Sequence, residues 1–170
     1  MNTYVLTIDP GLGGTGVGYW TSQHWGNPYQ SYQSALVVHH DTKAVSLEEK
    51  LCSLSDRLRA LWGGLDVVRA LIEYPEYYET KGGLVTAESG SLVKLAVVTG
   101  HIICTLQSLP SKPRVVLVPP SSWKGQVTKK VMQQRVRPLL PVHALAELER
   151  KASHAWDAVG IGVWAQGVLG

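Results

Sequence analysis

Short apolar runs alternate with polar breaks along this chain, and the pattern predicts a sheet of five strands. β-Branched and aliphatic residues fill the runs Tyr4–Ile8, Ala35–His40, Val67–Ile72 and Arg114–Val118, which suits buried strands. A further apolar run, Val17–Trp20, follows a turn rich in glycine, so it is expected to form a hairpin with the first run.

Between the later strands the apolar positions recur at helical spacing. Ser46 and Glu49 form a capping box at the start of the first helix, and Gly63-Gly64 ends it. Because this helix precedes the fourth strand, that strand is expected to lie parallel to the first. Later helices are predicted over Glu88–Leu109, Lys129–Arg137 and Ser153–Gln166, and His143–Lys151 is a charged linker or a short helix.

The order of these elements, β-β-β-α-β-α-β-α-α, indicates a single α/β domain over residues 1–170. Hydrophobic residues make up 45% of the chain and charged residues 17%, which excludes a disordered protein. The longest apolar stretch, Leu95–Leu106, contains polar residues and is too short to span a bilayer. We expect no signal peptide before the first strand, and Cys52 and Cys104 sit in patterns typical of reduced core residues. We therefore expect a cytoplasmic protein without membrane contact.

Basic residues are concentrated in the last part of the chain. Residues 1–109 carry seven Lys/Arg and ten Asp/Glu, whereas residues 110–170 carry nine and three, so the net charges are −3 and +6. A basic segment of this kind indicates a polyanionic partner. A solvated helix face is the alternative interpretation.

Two predicted strands end in a carboxylate that is closely followed by proline. Asp9 ends the first strand and Glu73 ends the fourth. Because the carboxyl ends of neighbouring strands in an α/β sheet face one crevice, these side chains are expected to converge. Asp9 is also compatible with capping the turn at Pro10-Gly11 or with a phosphate-binding turn, and Glu73 with a solvated strand end.

A histidine and an aspartate open the last helix. His154 and Asp157 are three residues apart and share one face of its first turn, where an acidic residue also interacts well with the helix dipole. Together with Asp9 and Glu73 they provide three acids and one imidazole, whose like charges need bridging cations. Oxygen ligands favour Mg²⁺ or Mn²⁺ over zinc. Two such ions about 3.5–4 Å apart can orient a water and stabilise the leaving 3′-oxygen of a phosphodiester.

Aromatic and basic side chains indicate where a nucleic acid would bind. A loop with glycines carries Tyr77, Tyr78 and Lys81, which could stack on bases or belong to a protein interface. A cluster of lysines follows the fifth strand, at positions Lys124, Lys129 and Lys130.

Four motifs occur in an order that resembles the RuvC family of Holliday junction resolvases, within the RNase H-like superfamily. They are IDPG with TGVGYW, a strand ending in IE, WKG followed by KKVMQQRV, and HAWDAVGIG, and they span nearly the whole chain. The resemblance implies an RNase H-like fold, a five-stranded mixed sheet with the second strand antiparallel and helices on both faces. His154 stands where many members have Asp, and Tyr74-Pro75 follows Glu73. These departures point to a divergent or phage-type member.

The resemblance also implies the activity of a crossover junction endodeoxyribonuclease. Such an enzyme is structure-selective and resolves Holliday junctions or other branched DNA by metal-dependent hydrolysis. A homodimer would make the paired nicks, and the long apolar helix around Gly100 is the expected interface. By motif match, the catalytic residues and the ligands of two Mg²⁺ ions, for which Mn²⁺ substitutes, would be Asp9, Glu73, His154 and Asp157.

The same resemblance assigns the DNA contacts. Lys124, with Lys129 or Lys130, matches the basic residues that contact DNA in the family. The loop Tyr77–Gly83 matches the segment that carries an aromatic wedge at the junction.

Two other classes of function are compatible with parts of the sequence. A catalytically silent DNA-binding scaffold of the same fold would be expected to lose its acids, yet Asp9, Glu73 and Asp157 are all present. An actin-like ATP-binding protein would use the glycine-rich turn after Asp9 as a phosphate loop. That fold needs two such domains, and 170 residues are too few for them.

Overall fold

The computed structural model describes residues 2–41, 43–44, 46–76, 90–125, 127–151 and 153–167. Within them, five strands form one sheet in the order β3-β2-β1-β4-β5. The strands are β1 Thr3–Asp9, β2 Gly14–Thr21, β3 Tyr32–His39, β4 Asp66–Glu73 and β5 Arg114–Val118.

The sheet is mixed, as predicted. β2 runs antiparallel to both β1 and β3, whereas β4 is parallel to β1 and β5 is parallel to β4. The hairpin of β1 and β2 closes over the glycine-rich turn, and the parallel strands are joined by helical crossovers. The predicted five-stranded α/β fold with an antiparallel second strand is therefore confirmed.

Helices follow the predicted segments, with a few additions. The capping box at the start of α2 is formed in both directions, by Ser46 and Glu49, and the Thr128 side chain caps α5. Short 3₁₀ turns occupy Ser22–His24 and Arg137–Leu139. The helices are α1 Pro28–Ser31, α2 Leu47–Trp62, α3 Ser91–Gln107, α4 Pro120–Trp123, α5 Lys129–Val136, α6 Val142–Leu148 and α7 Ser153–Ala165.

Each face of the sheet is covered by a separate hydrophobic core. Even-numbered residues of β1, such as Leu6 and Ile8, pack with α2 and α3. The opposite face packs with α5, α6 and α7, and there Val5 of β1 meets Trp156 and Val159. Because side chains alternate along a strand, Asp9 lies on the same face as Val5. The last residue of β1 therefore points towards the layer that contains α7.

The prediction that the two cysteines are core residues is wrong. Cys52 and Cys104 are both free, and both are exposed. Leu54 of α2 and Ile102 of α3 are fully buried, and each cysteine is two residues away from one of them. Two residues correspond to about 200° around a helix, so each cysteine points away from the core.

Gly100 does not serve close packing within the described part of the chain. A Cβ added there would meet no other atom within 4 Å. Packing of Gly100 against a partner helix, as expected for the predicted interface, stays a prediction. None of the helices in the described ranges has the length and apolar character needed to cross a bilayer.

Candidate active site

Two carboxylates lie side by side where β1 and β4 end. Ile8 is aligned with Ile72 in the parallel pairing, so the next residues, Asp9 and Glu73, finish neighbouring strands. Asp9 is 5% exposed, and Glu73 is partly buried. The charge of Asp9 raises the pKa of Glu73, which places the two groups within electrostatic reach. The convergence predicted from the two strand ends is therefore present.

The first turn of α7 reaches the same place. His154 donates a hydrogen bond from Nδ1 to Oδ2 of Asp9 at 2.6 Å. Asp157, one turn later, is 8% exposed, and its charge raises the pKa of both Asp9 and Glu73. All four residues that the sequence singled out as catalytic thus gather at one edge of the sheet.

A glycine in β2 makes room for this helix start. Gly16 is the cross-strand partner of Asp9. A Cβ built on Gly16 would lie 1.9 Å from the carbonyl oxygen of His154, which is far inside van der Waals contact. Gly16 is therefore needed for the close approach of α7 to the hairpin.

Burial and mutual repulsion change the ionisation of the cluster. Burial, followed by the charge of Asp9, raises the pKa of Glu73 to about 7, although Lys124 and a hydrogen bond from Trp123 oppose the shift. Burial also raises the pKa of Asp9, against the lowering effect of His154. The hydrogen bond to Asp9 is the main reason why the pKa of His154 is raised. Burial and repulsion therefore disfavour the state in which all the carboxylates of the cluster are ionised.

These shifts predict how stability depends on pH in the absence of metal. A raised carboxyl pKa means that the folded state binds its proton more tightly than the unfolded chain, so stability falls as pH rises. The raised pKa of His154 acts in the same direction, since its contribution is present below 6.5 and is lost at higher pH. For Glu73, the change from 4.5 to about 7 corresponds to about 3 kcal/mol. In EDTA, urea denaturation at several pH values should show this fall.

Glu73→Gln provides the control for that measurement. The glutamine cannot titrate, so the free energy of unfolding of the variant should change less between pH 4.5 and 7. A slope identical to that of the parent protein would mean that Glu73 does not titrate in this range.

Of the four predicted DNA-binding lysines, three lie in the described residues, and two of these interact with the carboxylates. The Nζ atom of Lys129 lies 3.1 Å from Oδ2 of Asp157. The charge of Lys124 lowers the pKa of Asp9 and of Glu73. Lys130 is exposed, and no ion pair joins it to a carboxylate within the described residues. Lysine ammonium groups thus offset part of the negative charge in the site.

The side chains in the cluster are of the types that bind a hard divalent cation. Three carboxylates and one imidazole are ligands that Mg²⁺ or Mn²⁺ accepts, and Nε2 of His154 makes no hydrogen bond to the described residues. No three His, Cys, Asp or Glu side chains in those ranges are arranged to hold one ion. Asp157 instead forms an ion pair with Lys129.

Sequence reasoning missed one residue that contacts the cluster. Trp123 donates a hydrogen bond from Nε1 to Oε2 of Glu73 at 2.8 Å, and it is 4% exposed. The only signal was its place in the WKG motif, where the adjacent Lys124 suggested DNA binding instead. The tryptophan is carried by the short helix α4.

The predicted aromatic contacts cannot be placed. Tyr77, Tyr78 and Lys81 lie outside the described residues, and their roles stay predictions.

Solved structures of known proteins share this architecture. The chain is similar to the structure of Thermus thermophilus RuvC, with a TM-score of 0.67, 16% identity and 97% coverage of both chains. The T. thermophilus RuvC structure in complex with a Holliday junction substrate matches with a TM-score of 0.67 and 16% identity, over 98% of this chain and 97% of that one. The yeast mitochondrial Holliday junction resolvase Ydc2 has a TM-score of 0.44 and 17% identity, over 97% and 81%.

No protein-family model and no curated protein matches the sequence. The likeness to T. thermophilus RuvC covers nearly the whole of both chains, but only 16% of the aligned residues are identical. What this shows is a shared fold: the chain has the RNase H-like architecture of RuvC.

Proposed function

We propose that the protein is a metal-dependent endodeoxyribonuclease that resolves Holliday junctions or other branched DNA. The observation that carries the proposal is the gathering of Asp9, Glu73, His154 and Asp157 at the carboxyl edge of the sheet. The fold supports it, because T. thermophilus RuvC has this fold and has been solved in complex with a Holliday junction substrate.

The four clustered residues are the proposed ligands of two Mg²⁺ ions, which Mn²⁺ can replace. Asp9 would bridge both ions, Glu73 would hold one, and Asp157 with Nε2 of His154 would hold the other. The chemistry that the metal supplies in such sites is orientation of a water and stabilisation of the leaving 3′-oxygen. His154 keeps its Nδ1 on Asp9, which is how a carboxylate commonly orients a metal-binding imidazole.

Lys129 has two partners in this proposal. Its ammonium contacts Asp157. If Asp157 holds a metal ion, Lys129 would be available to contact a phosphate of the DNA. Lys124 and Lys130 would contribute further phosphate contacts, and Tyr77, Tyr78 and Lys81 would contact the bases at the branch point.

Lys130 provides the cleanest test of the basic surface, because it is exposed and outside the carboxylate cluster. Lys130→Ala is expected to weaken junction binding in EDTA and to reduce the log–log slope of affinity against salt by about one. Fluorescence anisotropy at four salt concentrations measures both quantities. Lys112→Ala is the matched control, since Lys112 is exposed near the start of β5, at the opposite edge of the sheet. Equal slopes for the two variants would make Lys130 ordinary surface charge.

Paired nicking of a symmetric junction needs two active sites, so a C₂ homodimer is part of the proposal. The exposed face of α3 supports this role. Val93 is 66% exposed and Val97 is 44% exposed, and Gly100 and Cys104 continue the same face at helical spacing. An apolar helix face of this kind suits a second copy of the same helix.

Val97→Glu is expected to convert the dimer into a monomer, because it places a charge inside the proposed interface. Sedimentation or light scattering gives the mass directly. Val142→Glu is the matched control, since Val142 is a 78% exposed valine on α6. A parental mass for Val97→Glu, or the same fall in mass for both variants, would contradict an α3 interface.

One assay separates this function from its main alternative. A four-way junction and a linear duplex of the same sequence are incubated with Mg²⁺, with Mn²⁺ or with EDTA, and the products are sized. We expect nicking of the junction only, and only with metal. The contact of Asp157 with Lys129 favours a catalytically silent scaffold as the second candidate. Junction binding without cleavage at any metal concentration would support that scaffold.

A further inference from the structure

The short helix α4 is held against the end of β4 by several contacts. Just before α4, the backbone nitrogen of Tyr74 donates to the carbonyl oxygen of Val118, the last residue of β5, at 3.2 Å. The carboxylate of Glu76 accepts from the backbone nitrogen and from the hydroxyl of Ser121, each at 3.1 Å. A helix of four residues has little stability of its own, so these contacts define where α4 lies.

Trp123, the last residue of α4, is directed into the carboxylate cluster. Its indole N–H donates to Oε2 of Glu73 at 2.8 Å, within the ordinary range for N–H···O hydrogen bonds. The indole N–H is a donor without acceptor capacity, so it holds a carboxylate oxygen in one place. Oε1 of Glu73 accepts no hydrogen bond from the described residues.

The ring of Trp123 also contacts two other parts of the site. A Cβ built on Gly160 would lie 2.6 Å from Cζ3 of Trp123, so the ring packs directly on the backbone of α7. On another side the Nζ atom of Lys124 lies 5.2 Å from the ring centroid, a cation–π distance. One buried side chain thus touches β4, α7 and the lysine that lowers the pKa of Glu73.

We infer that Trp123 is a positioning residue for the metal site: it fixes the Glu73 carboxylate through its N–H and holds Lys124 beside that carboxylate. The inference rests on the proposed function, because it assumes that Glu73 binds a metal ion. Hydrogen-bonding partners of metal ligands typically change metal affinity by about 10–100-fold, and Trp123 is expected to act within that range.

Trp123→Phe tests the inference, since phenylalanine keeps an aromatic ring against Gly160 but has no N–H. We expect Mn²⁺ affinity, measured by titration calorimetry on the intact protein, to fall about tenfold. At saturating junction DNA and limiting Mn²⁺, kcat should fall while KM for DNA changes little. Trp62→Phe is the matched control: it removes another buried indole hydrogen bond, to the hydroxyl of Tyr19 at 3.1 Å, in the core on the other face of the sheet.

A double-mutant cycle shows whether Trp123 acts through Glu73. In a Glu73→Ala background, Trp123→Phe should cause no further loss of Mn²⁺ affinity, whereas independent effects would add. If Trp123→Phe does not fold, replacement of Trp123 by benzothienylalanine keeps the shape and removes only the N–H. The same tenfold loss is then expected.

The outcomes distinguish the inference from the function on which it rests. If the parent protein binds Mn²⁺ and cleaves junctions, and Trp123→Phe binds Mn²⁺ equally well, Trp123 is a packing residue and the inference is overturned alone. If the parent neither binds Mn²⁺ nor cleaves junctions, the proposed function fails and the inference fails with it.

Discussion

Asp9→Asn is expected to abolish nicking of branched DNA while the fold and junction binding survive. Asp9 is 5% exposed and its pKa is raised mainly by burial, so a neutral amide of the same shape suits this place well. In the proposed site Asp9 bridges the metal ions, and an amide cannot replace its charge. Losing several kcal/mol of transition-state stabilisation corresponds to a fall of about a thousandfold in rate. The measurement is the single-turnover rate of nicking of a four-way junction that is saturated with protein.

The stability of Asp9→Asn provides a second measurement, which is expected to change in the opposite direction to nicking. Because a buried charge is removed, the melting temperature of Asp9→Asn in EDTA should equal or exceed that of the parent protein. Asp66→Asn is the matched control, since Asp66 is exposed at the other end of the sheet, where β4 begins. Parental nicking by Asp9→Asn would remove Asp9 from the site, and joint loss of nicking and junction binding would indicate damage to the fold.

The placement of the strand-end acids could be predicted because it depends on local rules. Apolar runs define β1 and β4, and parallel pairing brings their carboxyl ends to one edge. The register that aligns Ile8 with Ile72 then leaves Asp9 and Glu73 adjacent. Nothing beyond strand alternation and the helical crossover was needed for this part of the site.

The contacts among the site residues could not be predicted, because they depend on side chains that different elements deliver. His154 was expected to be a metal ligand and Lys129 a DNA contact. In the structure, His154 is hydrogen-bonded to Asp9, which is 145 residues away in the sequence, and Lys129 forms an ion pair with Asp157. Sequence spacing predicts on which face of a helix a residue lies. It does not predict which residue of another element its flexible side chain contacts.

The exposed face of α3 explains why periodicity failed for Cys104. This helix is apolar on more than one side, with Ile102 buried and Val93 and Val97 exposed. A helix that is apolar nearly all round does not reveal which face meets its own chain. The proposed dimer would bury this second face, and the mass of Val97→Glu tests that proposal.

Gly16→Ala is expected to have the largest effect on stability, because the new methyl group has no space. Its Cβ would lie 1.9 Å from the carbonyl oxygen of His154 and 2.3 Å from the carbonyl carbon, and backbone atoms cannot rotate away. Helix α7 would have to move off the hairpin. Overpacking of this kind costs about 3 kcal/mol, or roughly 10 °C in melting temperature for a chain of this size. Calorimetry measures the melting temperature, and urea denaturation measures the free energy of unfolding.

The hairpin turn offers a matched control for that substitution. Gly13 is three residues earlier, a Cβ there would meet nothing within 4 Å, and its φ is not positive. Gly13→Ala should therefore leave stability unchanged or raise it slightly, because alanine restricts the unfolded chain. Since Gly16 is paired with Asp9, the shift of α7 in Gly16→Ala should also carry His154 and Asp157 away from the strand-end acids. Equal melting temperatures for the two variants would mean that α7 does not lie against Gly16.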